Sequence, residues 1–170
     1  MKAAAAFFFI AILSTSVSAA TAPHVSISNL AQLSVPLPFP YDVSADAGRD
    51  VDAALAKARI EHKLVLIDLG GNWCGDCRVL SGLMQLPEMQ RFIEAHYVVV
   101  NVDVGRFNRN LEIPGRWNAA QDMKLGGVPA LLVVDPDTDK LIDSGHIAAL
   151  QDAHHMDPQT IAGWFAQWVK

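Results

Sequence analysis

The stretch Leu64-Val65-Leu66-Ile67-Asp68-Leu69-Gly70-Gly71-Asn72-Trp73-Cys74-Gly75-Asp76-Cys77 decides the fold. Its first six residues are a short apolar run of strand type, stopped by Gly70-Gly71. A helix-like segment begins at Cys74 and runs to about Leu86, with Gly82 a candidate kink. The two thiols therefore fall where a strand hands over to a helix. Unpaired N–H groups and a partial positive charge at such a terminus favour a thiolate over a thiol. Cys74 is expected at the terminus with its sulfur exposed, and Cys77 one turn in and shielded. One exposed nucleophile and one covered resolving thiol is the division that disulfide exchange needs.

These are the only two cysteines among 170 residues. A purely structural bridge is the competing reading, because small exported domains use disulfides as staples. A bridge between residues three apart closes so short a loop that it removes little entropy from the unfolded chain. Spacing and compartment together favour redox chemistry.

Outward from the motif, Asp50 to about His62 contains Ala53, Ala54, Leu55, Ala56, Lys57 and Ala58 with no Gly or Pro, which predicts a first helix. Pro87 fits the first turn of a helix through His96. Tyr97 to Val102 is a continuous β-rich run, as in a strand covered on both faces. A helix is expected near Arg116 to Lys124 and a strand at Ala130 to Val134. Asp135-Pro136-Asp137 then turns the chain into a strand near Lys140 to Ser144. Asp157-Pro158 caps a last helix whose Ile161, Trp164, Phe165 and Trp168 recur at helical spacing, a stripe read as core packing. Strands alternating with helices and closed by a hairpin require an α/β fold, a mixed central sheet with helices on both faces.

The N-terminus begins with Lys2, continues through an apolar stretch from Ala3 to Leu13, and ends in small polar residues up to Ala19 and Ala20. That is the three-part pattern of a secretory signal, cleaved after Ala19 or Ala20. A membrane span needs roughly 20 apolar residues, and Ser14, Thr15 and Ser16 interrupt this run first. The expected organisation is a signal peptide over 1–20, an extended lead-in with Pro36, Pro38 and Pro40 over 21–48, and one folded domain over 49–170. The lead-in can pack on that domain through Phe39 and Tyr41. A periplasmic or secreted location follows, with no stable membrane insertion after cleavage. The net charge of −5 with no long run of like charges gives no footprint for nucleic acid.

From about Asp50 to Lys170 the chain resembles the thioredoxin superfamily, on three features in order. Trp73-Cys74-Gly75-Asp76-Cys77 is similar to the family's W-C-G-P-C. Asp68, six residues before Cys74 in an apolar strand, resembles its buried aspartate. Gly127-Val128-Pro129 before an apolar strand resembles its cis-proline loop facing the active site. The resemblance implies a thioredoxin-like fold and a protein thiol–disulfide oxidoreductase that exchanges a dithiol for a disulfide with partner proteins. It implies no cofactor and no metal.

Under that resemblance, Asp68 desolvated in the sheet has a raised pKa and takes the proton of Cys77, directly or through water; the alternative is a pleat position that reaches solvent. Pro129, if cis, leaves the backbone of Val128 free to pair with an extended substrate segment. Trp73, Gly75 and Asp76 line the same substrate-binding surface, unless Trp73 is ordinary packing. Asp76 stands where thioredoxins carry proline; its carboxylate disfavours the Cys74 thiolate while Arg78 next door favours it, so the direction leans to reduction. A reductant outside the cytoplasm then needs a membrane thiol as electron donor.

Two departures stand out. Val99 occupies the position of the lysine that thioredoxins place near the buried aspartate, two before Asn101. The interval from Asp103 to Pro129 is long and carries Arg106, Phe107, Arg109, Arg116 and Trp117, either a partner surface or a solvated loop with two buried aromatics. Two other functions remain open: exported copper or zinc handling through His154-His155-Met156, which needs His and Cys close in space, and a non-catalytic binding module of the same fold.

Overall fold

The computed structural model describes residues 20–170, apart from the side chain of Leu125. The expected signal peptide, 1–20, lies outside the described residues except for Ala20. Strand β1 (Leu64–Gly70) is buried along six of its seven residues because it has a partner on each side. Strand β2 (Tyr97–Asp103) runs parallel to it, with Asp68 opposite Asn101. Strand β3 (Ala130–Asp135) runs antiparallel to it, with Asp68 opposite Leu131. Strand β4 (Lys140–Leu141) closes a hairpin on β3, giving the order β2-β1-β3-β4. This is the expected mixed sheet.

Helices cover both faces. Helix α1 (Ala47–Glu61) starts three residues earlier than the sequence suggested, because the Asp46 carboxylate accepts the Arg49 N–H and caps it there. It buries Val51, Ala54, Leu55 and Ala58 against Val65, Ile67 and Leu69. The opposite face of β1 presents Leu66 and Asp68, since successive strand residues alternate. Helix α2 (Gly75–Met84) and helix α3 (Pro87–His96) cover it and supply the crossover that parallel neighbours need. Leu80, Leu83, Met89 and Ile93 pack there with Leu66, Leu131 and Val133. A last helix, Pro158–Ala166, completes that layer.

Helix α2 runs through Gly82, where a Cβ would come within 3.3 Å of Leu33 and of Leu37, so glycine lets the lead-in lie against the helix. Three expectations are revised. The single helix near 116–124 is two short pieces, α4 (Glu112–Gly115) and α5 (Ala120–Gly126), because Asn118 adopts a left-handed φ of 58° between them. The last strand stops at Leu141 because the Asp143 carboxylate, fully buried, accepts the Val133 N–H at 3.0 Å in place of a main-chain partner. The lead-in is extended only in part. It forms a 3₁₀ turn at Leu30–Gln32 and seats Val25, Leu30, Leu33 and Tyr41 in the core.

Helix α6 (Pro158–Ala166) starts as expected, with Asp157 Oδ2 accepting the Thr160 N–H at 2.8 Å. Ile161, Trp164 and Phe165 are buried and Trp168 packs against the same cluster, so the aromatic stripe is core. Among the described residues no helix is long and apolar enough to cross a membrane.

Candidate active site

Cys74 is the N-cap residue of α2, with extended backbone, and its sulfur accepts the Cys77 N–H at 3.1 Å. Gly71 anchors the turn, its carbonyl accepting the Cys74 N–H at 2.9 Å. The two cysteines are joined in a disulfide with Cα atoms 5.3 Å apart. An N–H aimed at a cysteine sulfur favours the thiolate over the thiol.

Cys77 is fully buried, as expected from its place one turn into α2. Cys74 is more covered than the sequence suggested: it is 5% exposed. The cover is the loop before β3, whose Val128 carbonyl oxygen lies 3.5 Å from Cys74 Sγ. The Val128-Pro129 peptide is cis, as the resemblance implied, and brings the main chain of Val128 against the redox centre. Gly75 is exposed, and a Cβ there would meet nothing within 4 Å, so an approaching chain finds open space beside Cys74.

Trp73 forms the other wall. It is 45% exposed, and its Nε1–H donates to the Gly105 carbonyl at 2.7 Å. Phe107 meets its ring edge-on at 6.4 Å and the Arg106 guanidinium lies over it at 4.9 Å. The long 104–128 interval thus buttresses Trp73. Phe107 and Trp117 are both partly buried, while Arg109 is tied to Asp103 and to the Val43 carbonyl, and Arg116 to Asp52.

Asp68 is 1% exposed, and burial pushes its carboxyl up to about 7. The sheet position that could have reached solvent is closed. Tyr41, from the lead-in, donates its hydroxyl to Asp68 Oδ1 at 2.9 Å, which holds the pKa below where burial alone would set it. Gly70 sits where Tyr41 and Cys77 converge: a Cβ there would lie 2.9 Å from Cys77 Sγ and closer still to the tyrosine hydroxyl. Opposite Leu66, two residues before Asp68, stands the apolar Val99.

Arg78 and Asp76 do not behave as neighbours in sequence would. The Arg78 guanidinium donates to the Pro38 and Leu37 carbonyls at 3.0 and 2.8 Å and stacks on Phe39 at 3.9 Å, so its charge is spent on the lead-in. Phe39 itself stays exposed. The Asp76 carboxylate is held by His154, whose backbone N–H lies 3.0 Å and whose Nδ1 lies 2.5 Å from Oδ1. A carboxylate cannot donate, so Nδ1 carries the proton. The structure thereby brings a histidine beside the CxxC motif. Among the described residues, however, the His, Cys, Asp and Glu ligating atoms that converge within 4.8 Å are those of exposed Asp152, His154 and His155, without a cysteine.

A thioredoxin-like family model matches residues 46–136, more than half of the chain. This protein belongs to the thioredoxin-like family. The crystal structure of a disulphide isomerase from Xylella fastidiosa Temecula1 is 36% identical with a TM-score of 0.66, covering 78% of this chain and 98% of that one. A thioredoxin H-type protein from Chlamydomonas reinhardtii is 33% identical over 52 residues, which is 31% of this chain and 46% of that protein, under half its length. In this thioredoxin-like domain the dithiol/disulfide centre is intact, with the chemistry of a thiol–disulfide oxidoreductase. Tyr41 and His154, the partners of Asp68 and Asp76, both lie outside the matched 46–136 segment. In the sequence, Tyr41 offers only a packing role and His154 only a metal role. No local signal marks either, because the contacts span 27 and 78 residues.

Proposed function

We propose that this thioredoxin-like protein reduces or exchanges disulfides of partner proteins outside the cytoplasm, using Cys74 as nucleophile and Cys77 as resolver. The observation that carries the reading is the Cys74–Cys77 pair at the start of α2, with Asp68 beneath it and cis Pro129 against it. In the reduced protein the Cys74 thiolate attacks a partner disulfide, forming a mixed disulfide and releasing one partner thiolate. Cys77 then gives its proton to Asp68 and its sulfur attacks Cys74 Sγ. The Cys74–partner bond breaks, the electron pair leaves on the second partner sulfur, and the protein ends oxidised by two electrons. Trp73, Gly75, Asp76 and Val128-Pro129 form the surface that receives the partner chain.

The reducing direction rests on Asp76, whose carboxylate near Cys74 opposes the thiolate and so disfavours the reduced form. The N-terminal pattern of Lys2 and the Ala3–Leu13 stretch supports export, and an exported reductant draws electrons from a membrane thiol partner. Insulin reduction by the purified protein, with Cys74→Ser as control, tests the assignment: the parent turns over and the variant does not. Equal activity in Cys74→Ser would end the reading.

His154 moderates this bias. Its ring and backbone N–H offset the Asp76 charge, so His154→Ala should make the redox potential more negative. The pair is half-exposed and screened; the expected shift is on the order of 10 mV, a fraction of the about 30 mV that corresponds to one pKa unit for a two-electron couple. Equilibration against a glutathione series measures it, and a positive shift would contradict the assigned role of Asp76.

A further inference from the structure

Residues 37–41 form a strap that crosses α2 and ends on the buried proton acceptor. Arg78 holds the strap through the Leu37 and Pro38 carbonyls. Asn101 on β2 donates to the Pro40 carbonyl at 3.2 Å. Asn72, two residues before Cys74, grips Tyr41 at both ends: Oδ1 accepts the Tyr41 N–H at 3.1 Å and Nδ2 donates to its carbonyl at 2.8 Å. Four main-chain groups from the strap are thus fixed by the redox segment, and they deliver one side chain to one place. Tyr41 is 3% exposed. Its hydroxyl meets Asp68 Oδ1, and Gly70 leaves the space in which that hydroxyl approaches Cys77 Sγ.

We propose that Tyr41 is a positioning residue for the resolving step, fixing Asp68 as the proton acceptor of Cys77. This rests on the exchange reading above and adds to it a residue that no motif contains. The hydroxyl commits Oδ1, so Oδ2 is the oxygen left to take the Cys77 proton. It also stabilises the charged carboxylate, the form that can accept a proton. A carboxyl in an apolar sheet with no donor would stay protonated through neutral pH and would be a poor base there. Tyr41 cannot itself be the base at neutral pH, since burial and the adjacent Asp68 charge raise its own pKa well above that of a free tyrosine. Cys77 Sγ and the Tyr41 hydroxyl that binds Asp68 converge on Gly70. Asp103 at the end of β2 adds to the rise in the Tyr41 pKa, and Lys57, Glu61, Lys63 and Glu94 rim the cleft that Asp68 lines. Among the described residues Tyr41 gives Asp68 its one side-chain hydrogen bond.

The test separates the two chemical steps. Fully reduced protein is mixed with dithiobis(nitrobenzoate) in a stopped-flow instrument across pH 5 to 9. Attack by Cys74 releases the first thionitrobenzoate, and resolution by Cys77 releases the second. In Tyr41→Phe, attack should be unchanged. The pH at which resolution is half-maximal should rise by about one unit, which slows it roughly tenfold below that midpoint. With Tyr97→Phe as background, Tyr41 is the only tyrosine, so biosynthetic replacement by difluorotyrosine alters this hydroxyl alone. Its stronger donor should move the midpoint down, a shift opposite in sign that a merely structural role would not give, and one available even if Tyr41→Phe folds poorly. Resolution profiles superimposable on the parent in the fluorinated protein would overturn the proposal while leaving disulfide exchange intact. Absence of any second release in the parent would instead overturn the exchange reading itself.

Discussion

Cys77→Ser should convert turnover into trapping. With reduced variant and a disulfide-bonded partner, a covalent adduct on Cys74 is expected to accumulate, and steady-state reduction should fall by at least about 100-fold, since well-oriented intramolecular groups act at effective molarities of about 10⁵ M or more and millimolar external thiol replaces them poorly. The reason is geometric. Cys77 is fully buried and cannot meet a partner, yet its Cα lies 5.3 Å from that of Cys74, within disulfide reach. It serves one sulfur only. Mass spectrometry of non-reduced samples identifies the adduct and its site. Adduct formation by Cys74→Ser in place of Cys77→Ser would reverse the two roles, and the burial of Cys77 would then have to be transient.

Asp143→Asn should stabilise the protein strongly at pH 8 and little at pH 4, with the gain building up between them. Asp143 is fully buried; Oδ1 accepts the Val133 N–H and Oδ2 has no hydrogen-bond partner. Burial pushes its carboxyl up to about 7. Between about pH 4, where an unfolded aspartate ionises, and about pH 7, the native state holds a proton that the unfolded state has lost. Stability therefore falls as pH rises through that window and stays low above it. Asparagine keeps the acceptor for Val133, cannot ionise, and puts an amide where the orphaned oxygen stood. The expected gain is roughly 2–4 kcal/mol at pH 8, from about 1.4 kcal/mol per pKa unit, and little at pH 4. Urea unfolding at both values measures it. An equal gain at pH 4 and pH 8 would mean that packing, not ionisation, is the cause. Asp68 contributes a slope of the same sign in parent and variant alike, since it too is held near 7.

Much of the fold was legible because its signals are local. Apolar runs of strand length, Pro87 in the first turn of α3 and Asp157-Pro158 at the start of α6 each act over a few residues, and each element lies where those residues put it. Elements set by longer-range competition were less legible. Asn118 breaks a run that helix propensity alone would continue, and β4 ends early because a side chain 10 residues from Val133 takes over the ladder. The lead-in read as extended because prolines dominate it, whereas Leu30, Leu33 and Tyr41 find buried sites only once α2 and the sheet exist.

The sequence by itself determined the chemistry. Two thiols three residues apart, placed between an apolar strand and a helix, with an aspartate six residues upstream and a proline before another strand, are the pattern of a redox centre. Tertiary structure alone decided what tunes that centre: the cover that Val128 lays over Cys74, the tyrosine on Asp68, the histidine on Asp76 and the diversion of Arg78 to the lead-in. The reason is that a nucleophile and its helix terminus are fixed by covalent neighbours, while the charge and solvation of a buried group depend on whichever distant segment packing brings to it.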